Sequence, residues 1–205
     1  MKHIILLFAF ALLVGKATAQ RLSDSYWHQG YVLTDTDERL EGKLKYDLET
    51  EVVQLDMKVF IKTYSARNIK MFEFADARYK IQRRFLVLPF TKNPNSDYES
   101  PTFFELVQEG PKLTLLSREK LVVQTAMNPN PWAISPVMTY NQIQYDFFFL
   151  YPNGRILYFK GNRNDLAKVL NDSDGRIQKF IKKNRLRTDN KADLAKIVQY
   201  YNSTN

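Results

Sequence analysis

The chain has 205 residues, no cysteine and a formal net charge of +8 at pH 7. The missing cysteines exclude disulfides, thiolate nucleophiles and cysteine-ligated metal sites. The 186 residues that follow position 19 suffice for one domain with a buried core.

Residues 1–19 have the three-part pattern of a secretory signal peptide. Lys2 and His3 precede an apolar run from Ile4 to Val14, which ends at the small residues Ala17-Thr18-Ala19. A membrane-spanning helix needs about 20 apolar residues, so an uncleaved anchor is the weaker alternative. We expect cleavage after Ala19 and a periplasmic or cell-surface protein, because exported proteins without disulfides are typical of the bacterial envelope. Loss of Lys2 and Lys16 would lower the net charge to +6.

From Gly30 to Lys160 the pattern is that of β-strands. In "LEGKLKYD" apolar or small residues (Leu40, Gly42, Leu44, Tyr46) alternate strictly with charged ones. The segments "GYVLT", "VVQLDM", "KMFEFAD" and "YKIQRRFLVLPF" extend this pattern, separated by polar turns. The alternation predicts an antiparallel meander of hairpins.

Two more hairpins follow, one around Gly110-Pro111 and one around Pro152-Asn153-Gly154. The second, "YDFFFLYPNGRILYFKG", is rich in aromatic residues on both faces, which indicates burial on both sides or a covering of helices. Between the two hairpins, "AMNPNPWAISP" predicts an irregular loop. Trp132 and Met138 lie where no strand pattern demands them, so we expect an exposed apolar patch there.

After Gly161 the apolar spacing becomes helical. We predict three short helices, capped at Asn164, Asp174 and Asn190. Strands followed by helices indicate an α+β fold, in which a curved or barrel-like antiparallel sheet (residues 20–161) carries a helical segment (residues 162–205).

The sequence offers few candidates for catalysis. His28 is the only histidine after the signal peptide, and we expect a surface or edge-packing ring. Glu73 and Glu105 are flanked by apolar residues; alternation predicts that they face water, whereas burial would raise their pKa. Nucleotide-binding glycine motifs and a G-x-S-x-G elbow are missing, and "NDSDGRI" fails as a calcium loop. We assign no catalytic residue, no metal ligand and no cofactor.

The strongest feature is the basic segment "RIQKFIKKNRLR". It contains Arg176, Lys179, Lys182, Lys183, Arg185 and Arg187, and no acid. On a helix most of these cations lie opposite Ile177 and Ile181. Export argues against nucleic acid, so three interpretations remain: a solvated face, contact with an anionic envelope surface, or docking to an acidic envelope protein.

The segments "GYVLTDTDERLEGKLKYD", "FFELVQEGPKLTLL" and "IQKFIKKNRLR" resemble a family of small uncharacterised secreted β-rich proteins of Gram-negative bacteria. The resemblance implies export and a compact β-rich body, and it supplies no catalytic residues. We therefore expect an exported, non-enzymatic interaction or structural protein of the cell envelope, with Trp132, Met138 and the basic helix as contact surfaces. The alternatives are a carboxylate-dependent hydrolase of an envelope polymer and a binder of a small apolar ligand.

Overall fold

A computed structural model describes residues 26–92, 95–130, 132, 134–135 and 137–204; the predicted signal peptide lies outside these residues. The described residues form ten strands and three helices. The strands are β1 (His28–Thr34), β2 (Arg39–Asp47), β3 (Val52–Asp56), β4 (Ile61–Ser65), β5 (Ile69–Asp76), β6 (Ile81–Phe90), β7 (Ser100–Gln108), β8 (Thr114–Met127), β9 (Val137–Leu150) and β10 (Ile156–Phe159). The helices are α1 (Arg163–Val169), α2 (Arg176–Lys183) and α3 (Lys191–Ser203). The predicted α+β class is confirmed.

The strands form a single antiparallel sheet in the order β10-β9-β8-β7-β6-β5-β1-β2-β3-β4. The first strand, β1, lies in the interior of the sheet, and the chain builds outward from it through β2, β3 and β4. It then returns to the other side of β1 and continues as a meander from β5 to β10. The sheet is open, with β4 and β10 at its edges, so it does not close into a barrel.

One face of the sheet carries most of the core, and we call it the inner face. A row of paired residues defines it, running from Val32 through Phe72 and Phe85 to Glu105, then through Ser117 to Phe147. Near β1–β6 this face forms an aromatic core, in which the rings of Phe72 and Phe85 stack at 4.5 Å. The opposite, outer face buries a smaller cluster of Phe104, Leu116 and Phe148.

The three helices cover the inner face over β7–β10. Phe147 and Phe149 of β9 pack there against buried residues of all three helices, including Leu166, Ile181 and Ile197. The aromatic hairpin is therefore covered on one face by helices and buried on the other through Phe148. Gly154, in the turn of this hairpin, has the positive φ of 83° that its sequence predicts.

Two of the predicted helix caps need correction. Asn162, rather than Asn164, caps α1 by accepting a hydrogen bond from the backbone N–H of Asn164. At α2 the carboxylate of Asp172 accepts from the N–H groups of Ile177 and Gln178, while Asp174 accepts from the N–H group of Arg176, at the first residue of the helix. Asn190 caps α3 through the N–H of Asp193, as predicted.

Candidate functional site

The basic residues lie together on and just after α2. All six side chains of the segment are exposed, while Ile177 and Ile181 are buried against the core. Arg176 pairs with Asp174, and Arg187 pairs with Asp189. Within the described residues, no salt bridge joins Lys179, Lys182, Lys183 or Arg185 to an acid. The α2 surface therefore presents four uncompensated positive charges.

Strands β8 and β9 continue beyond the sheet as a two-stranded ribbon, which we define as residues 118–127 and 137–146. In the described part of the chain β8 pairs with β7 only through residues 115–117, and β9 pairs with β10 only through residues 147–150. The ribbon strands pair with each other alone, from Arg118–Asp146 to Met127–Val137. Both of its edges are therefore free.

The ribbon carries both apolar residues that the sequence singled out. Trp132 lies between its two strands and is 91% exposed. Met138 is also exposed, but it belongs to β9 and pairs with Ala126, so the prediction that it lies outside the strands was wrong. The start of this strand was not predicted because prolines precede it and only the residues after Met138 have the composition of a β-strand. The predicted binding role of both residues stays a prediction.

Of the two positions expected for His28, a surface ring or a ring packed at an edge, the structure excludes the first. It is buried on β1, and its imidazole stacks on Phe74 with ring centroids 4.7 Å apart. It therefore belongs to the aromatic core.

A charged cluster interrupts the apolar inner face, centred on Arg83 of β6. Its guanidinium makes a two-point contact with Glu105 of β7, with Nε 3.0 Å from Oε1 and Nη2 2.9 Å from Oε2. Nη2 also lies 2.7 Å from Glu119 of β8, and Nη1 lies 3.8 Å from Asp76 of β5. Arg83 is buried beside the rings of Phe74 and Phe85, with its guanidinium carbon 5.7 and 5.0 Å from their centroids. Because the side chain is almost completely shielded from water, its charge depends on these acids.

Glu105 is buried as well, so the expectation that it faces water was wrong. Oε2 accepts from Lys191 Nζ at 2.5 Å and from Ser117 Oγ at 3.1 Å, in addition to Arg83. Burial alone would raise the pKa of Glu105, but Arg83 and Lys191 outweigh it and hold the pKa below its ordinary value. Glu73 is partly exposed and pairs with Arg84 on the outer face.

The pKa of Glu119 is displaced in the opposite direction to that of Glu105. The side chain of Glu119 is 3% exposed. Oε1 accepts from Arg83, whereas Oε2 is buried with no hydrogen-bond partner among the described residues. Burial and the neighbouring Glu105 raise the pKa of Glu119 more than Arg83 and Lys191 lower it. Two carboxyl groups of one cluster thus have pKa values displaced in opposite directions, a pattern that marks candidate functional sites.

A cavity of about 570 Å³ adjoins the cluster, between the inner face and the N-terminal turn of α3. Its polar lining includes Glu119, Arg83 and Lys191; its apolar lining comes from Ile81, Val107, Ala192, Ala195 and the rings of Tyr79 and Tyr145. Burial and the nearby Glu119 raise the pKa of Tyr145, so its hydroxyl stays protonated at neutral pH. Lys191 Nζ lies 5.0 Å from the ring centroid of Tyr145.

Sequence reasoning identified Glu105 as a carboxylate among apolar residues but missed Arg83, Glu119 and Lys191. The available signal was the pair Arg83-Arg84 inside an apolar strand, where alternation requires one arginine to face the core. No group of histidine and acidic residues in the described ranges is suited to hold a metal ion. None of the helices in those ranges is long and apolar enough to cross a membrane.

Comparisons with protein-family models, with curated proteins and with solved structures found no match to this chain. The resemblance to a family of secreted bacterial proteins therefore stays a prediction.

Proposed function

We propose that this protein is an exported, non-enzymatic interaction protein of the cell envelope. Its ribbon forms an apolar contact with an acidic envelope protein, and the cations of α2 steer that partner. Export rests on the sequence of residues 1–19. The docking surface rests on the structure of the ribbon.

One observation carries the proposal: from residue 121 to residue 144 the ribbon and the segment that joins its strands carry no charge and expose several apolar side chains. Residues 121–144 contain no Asp, Glu, Lys or Arg, in a chain of which 25% is charged. Met127, Trp132 and Ile134 are nearly fully exposed, and Val123 is 69% exposed. Exposed apolar surface of this kind, grouped on one element, is typical of protein interaction sites.

The inner face of the ribbon strengthens this assignment. Leu121, Val123 and Met127 of β8 share that face with Val137 and Ile143 of β9. The same face is covered by helices farther along the sheet, where Leu115, Phe147 and Phe149 pack against them, and none of the described apolar residues of the ribbon belongs to that cluster. The apolar face of the ribbon therefore continues the surface that the helices cover elsewhere in the sheet, but no described helix covers it here.

The free edges favour a protein partner over a lipid bilayer. Backbone N–H and C=O groups along the outer sides of both ribbon strands can pair with a strand of a partner protein. In hydrocarbon the same groups would lack hydrogen-bond partners, which costs several kcal/mol for each group. The ribbon therefore suits a partner that supplies both apolar side chains and a strand edge.

The charge of α2 indicates that this partner is acidic. Lys179, Lys182, Lys183 and Arg185 have no acidic partner among the described residues, and the chain without its signal peptide is +6. A second copy would meet repulsion from the same charges, whereas an acidic protein would be attracted over a Debye length of about 8 Å.

The geometry does not favour the alternative of a carboxylate-dependent hydrolase. Such an enzyme needs a second carboxylate that is free to act as a base or nucleophile. Both oxygens of Glu105 already accept hydrogen bonds from Arg83, Ser117 and Lys191. The cluster holds this carboxylate in place and leaves it no free position for a reacting group.

The test uses residues 20–205 as bait for envelope proteins, after which the captured protein is purified and titrated against four baits. These are the wild type, Trp132→Ala with Ile134→Ala, a variant with Lys179, Lys182, Lys183 and Arg185 changed to Gln, and a charge-matched control. The control changes four exposed cations elsewhere, Lys43, Lys58, Arg67 and Lys80, to Gln.

We expect an acidic protein whose affinity falls at least about tenfold in both test variants and at high salt, but changes little in the control. Equal binding by all four baits would refute the assigned surface. Binding to vesicles of anionic lipid, with no captured protein, would replace the protein partner by a membrane surface.

A further inference from the structure

The cavity beside Glu119 supports an inference that goes beyond docking. The side chains around it do not balance in charge. Arg83 and Lys191 supply two positive charges, whereas Asp76, Glu105 and Glu119 supply three negative ones when all are ionised. Asp76, Arg83 and Glu105 are buried, and Lys191 is the most exposed member of the cluster, at 24% of its side chain. Counted over the described residues, the ionised cluster therefore lacks one positive charge.

Glu119 is the member of the cluster in which one carboxylate oxygen lacks a partner among the described residues. Both oxygens of Glu105 have donors, and Asp76 Oδ1 accepts from the N–H groups of Arg78 and Tyr79. Oε2 of Glu119 has no donor within the described part of the chain. A buried, ionised oxygen without a donor is costly, so this position calls for either a proton or an external cation.

The side chains that line the cavity indicate which kind of molecule could fill it. Ile81, Val107 and Ala195 provide aliphatic surface, and Tyr79 and Tyr145 provide aromatic rings. Aromatic faces attract cations as well as apolar groups. A volume of about 570 Å³ lies within the range of sites for small organic ligands.

We propose that this cavity binds a small amphipathic monocation, an organic ammonium whose charged group pairs with Glu119 and whose apolar body lies against Ile81, Val107 and Tyr145. An anion is disfavoured because it would meet the excess negative charge and would have to displace Lys191 from Glu105. A neutral apolar molecule would fill the cavity but leave Glu119 without its counter-charge.

The charge and titration states around Glu119 make the binding dependent on pH. In the part of the chain that the structure describes, the titratable and charged groups around the cavity are Arg83 of β6, Glu105 of β7, Tyr145 of β9, Lys191 of α3 and Tyr79 in the β5–β6 turn, and Asp76 of β5 lies behind Arg83. Protonation of Glu119 removes the charge that attracts the ligand. Affinity for the cation therefore falls as the pH falls through the raised pKa of Glu119.

The experiment titrates the protein of residues 20–205 with phenethylammonium and with its neutral analogue 2-phenylethanol, with binding followed by NMR chemical shifts at neutral pH. We expect the cation to bind at least about tenfold more tightly than the alcohol. Glu119→Gln should remove most of this preference and leave the affinity for the alcohol unchanged. Glu49→Gln, an exposed acid in a turn, is the matched control.

A second variant keeps the test decisive should Glu119→Gln fold poorly. Ala192→Leu narrows the cavity from the exposed side of α3 and should abolish binding of the cation, while Ala77→Leu in an exposed turn should not. Equal affinities for cation and alcohol, or the absence of shifts at cavity residues with phenethylammonium and n-hexylammonium alike, would overturn the proposal. Loss of partner docking in the Trp132 variant would leave cation binding unchanged, so the two proposals fail separately.

Discussion

Arg83 and Glu105 form a two-point salt bridge between β6 and β7, at the boundary of the two apolar cores of the inner face. The aromatic core of β1–β6 lies on one side of this pair, and the core under the helices lies on the other. Lys191 extends the pair to the first turn of α3. The cluster therefore links sheet and helices at the point where apolar packing is interrupted.

Replacement of Arg83 should be strongly destabilising. Arg83→Met leaves Glu105 and Glu119 buried beside each other without their shared counter-charge, and removal of one partner of a buried pair costs about 3–5 kcal/mol. Arg84→Met is a matched control, because Arg84 is the next residue on the same strand and pairs with Glu73 in an exposed setting. That change should cost at most about 1 kcal/mol. Urea unfolding of both variants gives the comparison, and equal losses would contradict the assigned role of the cluster.

The two glutamates should affect the pH dependence of stability with opposite signs. The pKa of Glu105 is lowered on folding, so the stability it contributes is present above the unfolded pKa of about 4.3 and is lost as the pH falls further. The pKa of Glu119 is raised, so its contribution is present below about 4.3 and is lost as the pH rises through the folded pKa.

Urea unfolding of wild type, Glu105→Gln and Glu119→Gln across pH 3–8 measures these contributions as differences. The free energy of wild type minus that of Glu119→Gln should fall with rising pH above about 4.3. The same difference for Glu105→Gln should rise with pH below that value. A flat difference curve for Glu119→Gln would show that its pKa is not raised in the folded protein.

The aromatic core of β1–β6 should be sensitive to truncation. Phe72 is fully buried and contacts the rings of Phe74, Phe85, Phe103 and Tyr46. Phe72→Ala should lower the free energy of unfolding by about 3–5 kcal/mol. Phe60, which is 55% exposed, is the control, and its change to alanine should stay within about 0.5 kcal/mol. Chemical denaturation at one pH distinguishes the two; similar losses would contradict the placement of Phe72.

Shortening the ribbon should leave the fold intact. Val122 pairs with Gln142, so residues 123–141 can be replaced by the two-residue turn Asn-Gly. The described side chains in this segment are exposed or half-buried, and we expect a change in unfolding free energy of about 1 kcal/mol or less. Thermal unfolding tests this expectation. A cooperative loss of structure would show that the ribbon is part of the folding unit and would weaken its assignment as a docking element.

The cap of α1 offers a test at adjacent positions. Asn162 accepts a hydrogen bond from the N–H of Asn164, so Asn162→Ala should cost about 1 kcal/mol. Asn164 is an exposed residue inside the first turn, and Asn164→Ala should be nearly neutral or slightly stabilising. Urea unfolding separates the two. A larger loss of unfolding free energy in Asn164→Ala than in Asn162→Ala would show that Asn164 is the cap, as the sequence predicted.

The sequence predicted those strands in which one face is buried and the other wet. "LEGKLKYD" became β2 with Leu44 buried and its charged residues outward, and the turn at Gly154 has the expected backbone. Strand β4 was not predicted because it lies at an edge and buries Tyr64 alone, so its residues show no alternation. The start of β9 was missed for the same reason, since neither face of the ribbon is buried there.

By itself, the sequence determined the class of the fold, most of its strands, the helical end and the position of the cations on α2. Each of these depends on residues close together in the chain, for which periodicity and capping are sufficient guides. Only the tertiary structure decided that β1 lies between β5 and β2 and that Arg83, Glu105, Glu119 and Lys191 meet at one cavity. These contacts join residues far apart in sequence. Strand β7 is buried on both faces around Glu105, so alternation there cannot distinguish inside from outside. Alternation places either Arg83 or Arg84 on the core side, but it does not show that the buried arginine pairs with Glu105.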